Sequence, residues 1–351
     1  LQQANINVAS TTASLISDAS SLTGNIHNAG TLVLTGGTNN NIISDFEGIY
    51  GDLLINGNVI SNRNINQDNL TVSSGSSFIK TAVANFNDTI LNNGSITNNG
   101  FTSANRLINN SGAVVDNYYI FELYEGGINN GTITGAPGRL QIYDDFTNLG
   151  SISQNEVYLN NGLVQNNGSL NAGNLYISNS VEFRTYMDYV SANIANDGMI
   201  ITNGGTNTNT IAGTGSLLVF GGAMINDGTI AQNDLLVNSD STLRTSAQSL
   251  TIANGIENNG TLFIDHAISA DTNANDIRGD GIIRIVNGTD LTNTGEIRQE
   301  GMAITNGSTL HTDASLLYMA NRILNNGTLN FNVTGNNANN ITGTGTLEIT
   351  G

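Results

Sequence analysis

The chain has 351 residues, of which 41 are glycine, one is proline and none is cysteine or tryptophan; charged residues make up 11% and the formal net charge is −18. The only lysine is Lys80 and the arginines are scattered singly, so the chain lacks the clustered basic footprint that nucleic acids or anionic membranes require. Without cysteine there are no disulfides and no thiolate metal sites, and no apolar run approaches the ~20 residues of a membrane span.

Asparagine occupies roughly one position in six, against 38% hydrophobic residues. Disordered chains are poor in Ile, Leu and Val, so this composition points instead to short strands joined by many tight turns. Asn and Gly are read as corner residues because both accept positive φ. The first residues, 1–20, resemble the lead into an Asn-x-Gly corner, and the closing LEITG reads as strand. No signal peptide opens the chain, so a fragment of a longer protein is expected.

The first corner signature is IHNAGTL from Ile26. Between residues 113 and 190 the pattern is interrupted by aromatics and acids, in DNYYIFELYEGG, QIYDDF and VEFRTYMDYV, together with the only proline, Pro137. Tyr119 and Phe121 precede Tyr143 by 24 and 22 residues, a spacing that predicts stacking on one face. Tyrosine beside carboxylate suits carbohydrate or peptide recognition, and the candidate ligand-binding residues are Tyr119, Tyr124, Tyr143, Tyr186, Asp144 and Asp145. Two alternatives stay open: local widening of the core, or a Ca²⁺ site built by Asp144 and Asp145 with Asp116, Glu122 or Glu125. No other cofactor is expected.

The most regular repeats run from 193 to 351. IANDGMI from Ile194, IENNGTL from Ile256 and ILNNGTL from Ile323 are each followed by a second signature: TIAGTGSLLV, DIRGDGIIRI and NITGTGTLEI. Apolar anchors at Leu291, Ile297, Ile304, Leu310, Leu316, Ile323 and Leu329 are six or seven residues apart, and the same phase recurs at Ile230, Leu236, Leu243, Leu250, Ile256 and Leu262. A helix would place anchors at three and four. Six to seven means a short strand plus a corner, and three such sides close one coil. The expected fold is all-β: a right-handed three-sided parallel β-helix of about 15–17 coils of roughly 19–22 residues, forming a single rod over 1–351.

Several motifs have plain readings within this repeat. Arg278-Gly279-Asp280 occupies the register of Ala212-Gly213-Thr214 and Thr342-Gly343-Thr344, so its glycine belongs to a corner and not to an integrin ligand. The sequons at Asn130, Asn259 and Asn326 are by-products of Asn-Gly-Thr corners. His27, His266 and His311 have no metal or triad spacing and are read as surface residues. No serine sits in a nucleophile elbow.

The alternation of N-x-G-T-[LI] with [IL]-x-G-x-G-x-[LI]-x-[IV] resembles the passenger repeats of autotransporters and of filamentous-haemagglutinin-type adhesins, over nearly the whole chain. The resemblance implies a secreted, cell-surface adhesin passenger or stalk without enzymatic activity. Its implied partners are a host-cell or matrix glycan or protein, or other copies of itself. The alternatives are a segment of an extracellular filament, or a β-helical polysaccharide lyase or hydrolase using Asp144, Asp145 and Arg139.

Overall fold

The computed structural model describes residues 2–265, 270–332 and 336–350. The chain is an all-β parallel solenoid of about 18 coils. Its residues gather into two compact units, Leu1–Val181 and Glu182–Gly351. There are more coils than the expected fifteen to seventeen because many close early: Leu53 pairs with Leu70, and Ile90 with Leu107, after only 17 residues.

In the first unit three inward columns run through successive coils. One is Leu32, Leu53, Leu70, Ile90, Leu107, Gly127, Phe146 and Val164. The second is Val59, Phe78, Ile96, Val115, Ile133, Ile152 and Leu170. The third is Ile65, Ala84, Thr102, Phe121, Leu140, Val157 and Leu175. Their side chains are buried throughout, each large one contributing about 1.5–3 kcal/mol. The second unit repeats the scheme, for example in Ile200, Leu217, Leu235, Ile256, Ile277, Ile297 and Leu317.

Most sequence anchors occupy these columns, but Leu236 and Leu316 do not. The strand Asp234–Val237 turns Leu235 and Val237 inward, leaving Leu236 half-exposed. Leu316 ends a 3-10 turn, Ala314–Leu316, and Leu317 enters the core in its place. In a run of adjacent apolar residues two phases are possible, and the strand takes only one.

The corners differ from their expected physics. At Gly112 and Gly162 the Asn-x-Gly glycine does take positive φ, at +79° and +84°, but Gly94, Gly131, Gly150 and Gly168 are absent from the left-handed region. They are needed because the coils touch: a Cβ on Gly131 would lie 2.3 Å from the Ala113 carbonyl oxygen, and one on Gly150 would lie 2.0 Å from that of Gly131. Among the described non-glycine residues, positive φ occurs at Glu47 and Asn287.

Asparagines at many of these corners are core residues. Asn92, Asn109, Asn129, Asn148 and Asn166 are fully buried. Each Nδ2 donates to the Oδ1 of the next, at 2.9, 2.7, 2.8 and 2.7 Å. Its second hydrogen goes to a backbone carbonyl: Val114, Thr132, Ser151 or Ser169. Aligned amides polarise one another along such a chain.

The longer repeat follows from the same stacking. The corner Asn196-Asp197-Gly198 packs against Gly213-Thr214-Gly215 of the next coil, where Gly213 has φ of +138° and a Cβ would meet the Asn196 oxygen at 2.2 Å. Asp197 accepts both the Thr214 N–H and its hydroxyl, at 2.9 and 2.8 Å. Asn259 and Asn326 likewise accept the N–H groups of Asp280 and Thr344, so these sequon asparagines brace corners. A glycine offers no amide to its neighbour, so the ladder skips a coil. Asn196 reaches Gln232 and Asn258 reaches Gln299, both at 2.6 Å, and in the first unit Asn117 reaches Gln154 at 2.7 Å. Glutamine is long enough to span the gap.

Lys80 is built into a second ladder. It is 2% exposed, and its ammonium donates to Asn98 Oδ1 at 2.8 Å and the Phe101 carbonyl at 2.7 Å. Asn98 makes the same pair of bonds one coil on, to Asn117 and the Ile120 carbonyl.

Two outcomes test this scheme. Replacing Asn129 with Leu removes the amide that donates to the Asn148 oxygen and the Ser151 carbonyl and the oxygen that accepts from Asn109, and the urea midpoint should fall by the equivalent of about 2–4 kcal/mol. A change below about 0.5 kcal/mol would remove the ladder from the stability argument. Burial pulls the Lys80 ammonium down from 10.5 to about 7. Between those values the unfolded chain holds a proton that the folded chain does not, so this group makes stability rise with pH across that window and leaves it flat below. Lys80→Gln keeps a donor without the charge. The variant should be more stable than wild type at pH 6, and the difference should shrink towards pH 10 in urea titrations.

Candidate functional site

Strand alternation sends every second residue outward, and in the first unit four successive coils put tyrosines on one outer face. The strand Ile120–Leu123 pairs with Arg139–Ile142, which pairs with the end of Ser151–Leu159, which pairs with the end of Ser169–Ile177. Phe121, Leu140, Val157 and Leu175 point into the core, so Glu122, Gln141, Tyr158 and Tyr176 form one outward column. Tyr124 and Tyr143 flank it.

The rings contact each other between coils. Tyr158 and Tyr176 stack at 4.4 Å and 15°, and Tyr124 and Tyr143 lie 5.4 Å apart at 32°. Arg139 covers Tyr158, with its guanidinium carbon 5.0 Å from the ring centroid, while holding Glu156 at 2.7 Å. The hydroxyls of Tyr124, Tyr143 and Tyr158 donate to Glu122, Gln141 and Glu156 at 2.8, 2.9 and 3.3 Å. The hydrogen bond to the Glu122 carboxylate holds the Tyr124 proton and pushes the phenol up to about 12. Burial raises that of Tyr143. The result is an outward aromatic surface in which rings of successive coils contact one another, with the Glu122 and Glu156 carboxylates bonded to tyrosine hydroxyls.

The sequence candidates are not all gathered here. Tyr124 is 47% exposed and Tyr143 half-buried, both within the face. Tyr119, 53% exposed, lies on the preceding turn, and its carbonyl accepts the Arg139 N–H. The expected stacking of Tyr119 or Phe121 on Tyr143 does not occur: Phe121 is buried and pairs with Leu140, and Tyr124 stands one coil from Tyr143. Nor do the aromatics interrupt the repeat, because coils continue through this stretch in steps of 17 to 19 residues. Tyr186 belongs to the second unit, where it meets Tyr189 edge-on at 5.7 Å.

Asp145 braces a corner, accepting the Leu163 N–H at 2.7 Å, while the Asp144 carboxylate accepts the Asp145 N–H at 2.9 Å. Glu122 is engaged by Tyr124 and Glu125 by Asn105. Among the described residues, no three His, Asp or Glu side chains come together in a way that could hold a metal ion. His27 is half-buried against Ser44 and the Asp45 carbonyl, and His311 is half-buried beside Asp290 at 2.9 Å. His266 lies outside the described residues.

The second unit carries a groove that the sequence reading missed. Arg278, Arg298 and Tyr318 follow one another outward on adjacent coils and line an open concavity of about 850 Å³. Only their common spacing of 20 residues signals them in the sequence. Gly279, between Arg278 and Asp280, sits at φ +122° with the Asn258 oxygen 2.5 Å from where its Cβ would be, which accounts for the triplet as a corner.

In comparison with protein-family models, curated proteins and solved structures, nothing matches this chain. Among the described residues no helix is long and apolar enough to cross a membrane.

The Tyr124–Glu122 bond is directly measurable. In an NMR titration of the tyrosine ring carbons, Tyr124 should ionise near pH 12, and Glu122→Gln should bring it back towards the ordinary value of about 10. An unchanged titration in the variant would show that the carboxylate does not hold the phenol.

Proposed function

We propose that the chain is an extracellular structural and adhesive scaffold, the passenger or stalk of a surface adhesin, presenting an aromatic face to glycans or glycoproteins. The observation that carries this reading is the tyrosine and carboxylate face spread over four successive coils. Inward positions of a solenoid are constrained by stacking, whereas outward columns vary without cost to the core, so recognition is written on the outside. Tyrosines already locked by stacking and by hydrogen bonds lose little freedom on binding, and their edges offer apolar and polar contact together. The carboxylates between them accept hydrogen bonds from hydroxyl or ammonium groups.

The test is binding of the purified chain to immobilised matrix glycoproteins and to a glycan array, beside the double variant Tyr124→Ala/Tyr143→Ala. Wild type is expected to bind, and the variant to lose roughly tenfold or more in affinity while keeping its circular dichroism spectrum. Equal binding by the variant would reduce the face to packing. Absence of binding by wild type on every surface would overturn the adhesive reading.

A further inference from the structure

The second unit holds an outward trough distinct from the tyrosine face. Leu218, Leu236, Glu257, Arg278, Arg298 and Tyr318 follow each other on successive coils. Two concavities meet at Arg278. The larger, about 850 Å³, is walled by Asp280, Arg298, Glu300 and Tyr318; the smaller, about 400 Å³, runs back past Leu236 and Leu218. Ala320 and Ala338 also line the larger one.

Tyr318 differs from Tyr124, Tyr143 and Tyr158 of the first unit, whose hydroxyls are bonded. Arg298, held by Glu296 at 2.6 Å, supports its ring from 4.6 Å. The ring is nevertheless 47% exposed into the groove, and among the described residues its hydroxyl has no hydrogen-bond partner. Arg278 is exposed too. It donates to the Asn254 carbonyl at 2.9 Å and has no carboxylate within ion-pair distance among the described residues. Two arginines on adjacent coils repel each other, and that arrangement leaves several guanidinium N–H groups directed to solvent.

We propose that this trough binds a neutral oligosaccharide laid along the coil stack, with Tyr318 as the stacking platform and Arg278, Arg298, Asp280 and Glu300 on its hydroxyls. The chemistry selects the class. A cation is repelled by the two guanidinium groups, and a polyanion by Asp280, Glu296, Glu300 and a chain of net charge −18. A polyhydroxylated neutral chain satisfies both signs at once: each hydroxyl donates to a carboxylate and accepts from an arginine. The volume lies within the range of small-ligand sites, roughly 300–1,000 Å³. Coils about 4.8 Å apart present one rung for each sugar ring of an extended chain.

This site stands independently of the tyrosine face, and the two fail separately. The experiment is calorimetric titration of the full chain with cellotetraose, maltotetraose, mannotetraose and N,N′,N″,N‴-tetraacetylchitotetraose, with tetragalacturonate and spermine as charged comparators. At least one neutral probe is expected to bind. Tyr318→Ala should weaken it by roughly tenfold and Arg278→Ala by roughly fivefold, with Tyr318→Phe staying close to wild type. Urea midpoints verify that each variant is folded, and Arg278→Ala, at a solvent-facing position, serves if Tyr318→Ala is not. The proposal is overturned if no neutral probe binds at millimolar concentration, if a charged comparator binds in preference, or if a folded Tyr318→Ala or Arg278→Ala chain binds as wild type does.

Discussion

At most Asn-x-Gly corners, those of Gly131 and Gly150 among them, the backbone of one coil lies against the carbonyl oxygens of the coil before it, with no room for a Cβ. That approach brings successive asparagine amides within hydrogen-bonding reach, and the amides satisfy carbonyl groups that a dry corner would otherwise leave unpaired. The rest of the fold is keyed to this contact. Because corners stack in phase, the strands between them align, and aligned strands place Leu over Leu and Ile over Val in the interior. Where a corner lacks an asparagine, as at Gly213, the structure spends a glutamine two coils away to recover the bond.

The solenoid is legible in the sequence because its inward side chains are apolar and its corners recur at nearly constant intervals. Ile230, Leu243, Leu262 and Leu310 need no more than periodicity to be placed in the core. Leu236 and Leu316 escape that logic, since adjacent apolar residues (Leu235 and Val237 for the one, Leu317 for the other) make the phase ambiguous until the next coil selects it. The buried asparagines escape for a different reason: a polar residue beside glycine reads as a solvated turn, and only its partner some 17 to 20 residues on reveals a core amide. Lys80 is the extreme case, a charged residue whose ammonium makes the two bonds that its neighbour's amide makes.

The outer surface is less legible still. Tyr124 and Tyr143 are visible as aromatics, but which tyrosine meets which depends on register, and a shift of a few residues exchanges Tyr119 for Tyr124 as the partner. Arg278, Arg298 and Tyr318 form one wall because the strand register carries them to equivalent outward positions on successive coils. Interior and exterior therefore share one strand register: residue type marks the inward positions, whereas an outward column is known only once the pairing of successive strands is known. Corners absorb differences in coil length: the outward column from Leu218 through Leu236, Glu257, Arg278 and Arg298 to Tyr318 holds although its steps range from 18 to 21 residues.

The ladder from Asn92 to Asn166 also has a direction. Asn109, Asn129 and Asn148 each donate forward to the following coil and accept from the preceding one, although the steps vary from 17 to 20 residues. A coil in this stretch is thus an interchangeable part with a socket on one side and a plug on the other. Gene duplication or deletion of one coil restores the same interface on both sides, whichever of these lengths it has, so the array lengthens or shortens by recombination without redesign. Inversion is forbidden: two such stacks meeting face to face would set donor against donor, and a chain built this way assembles in one polarity only.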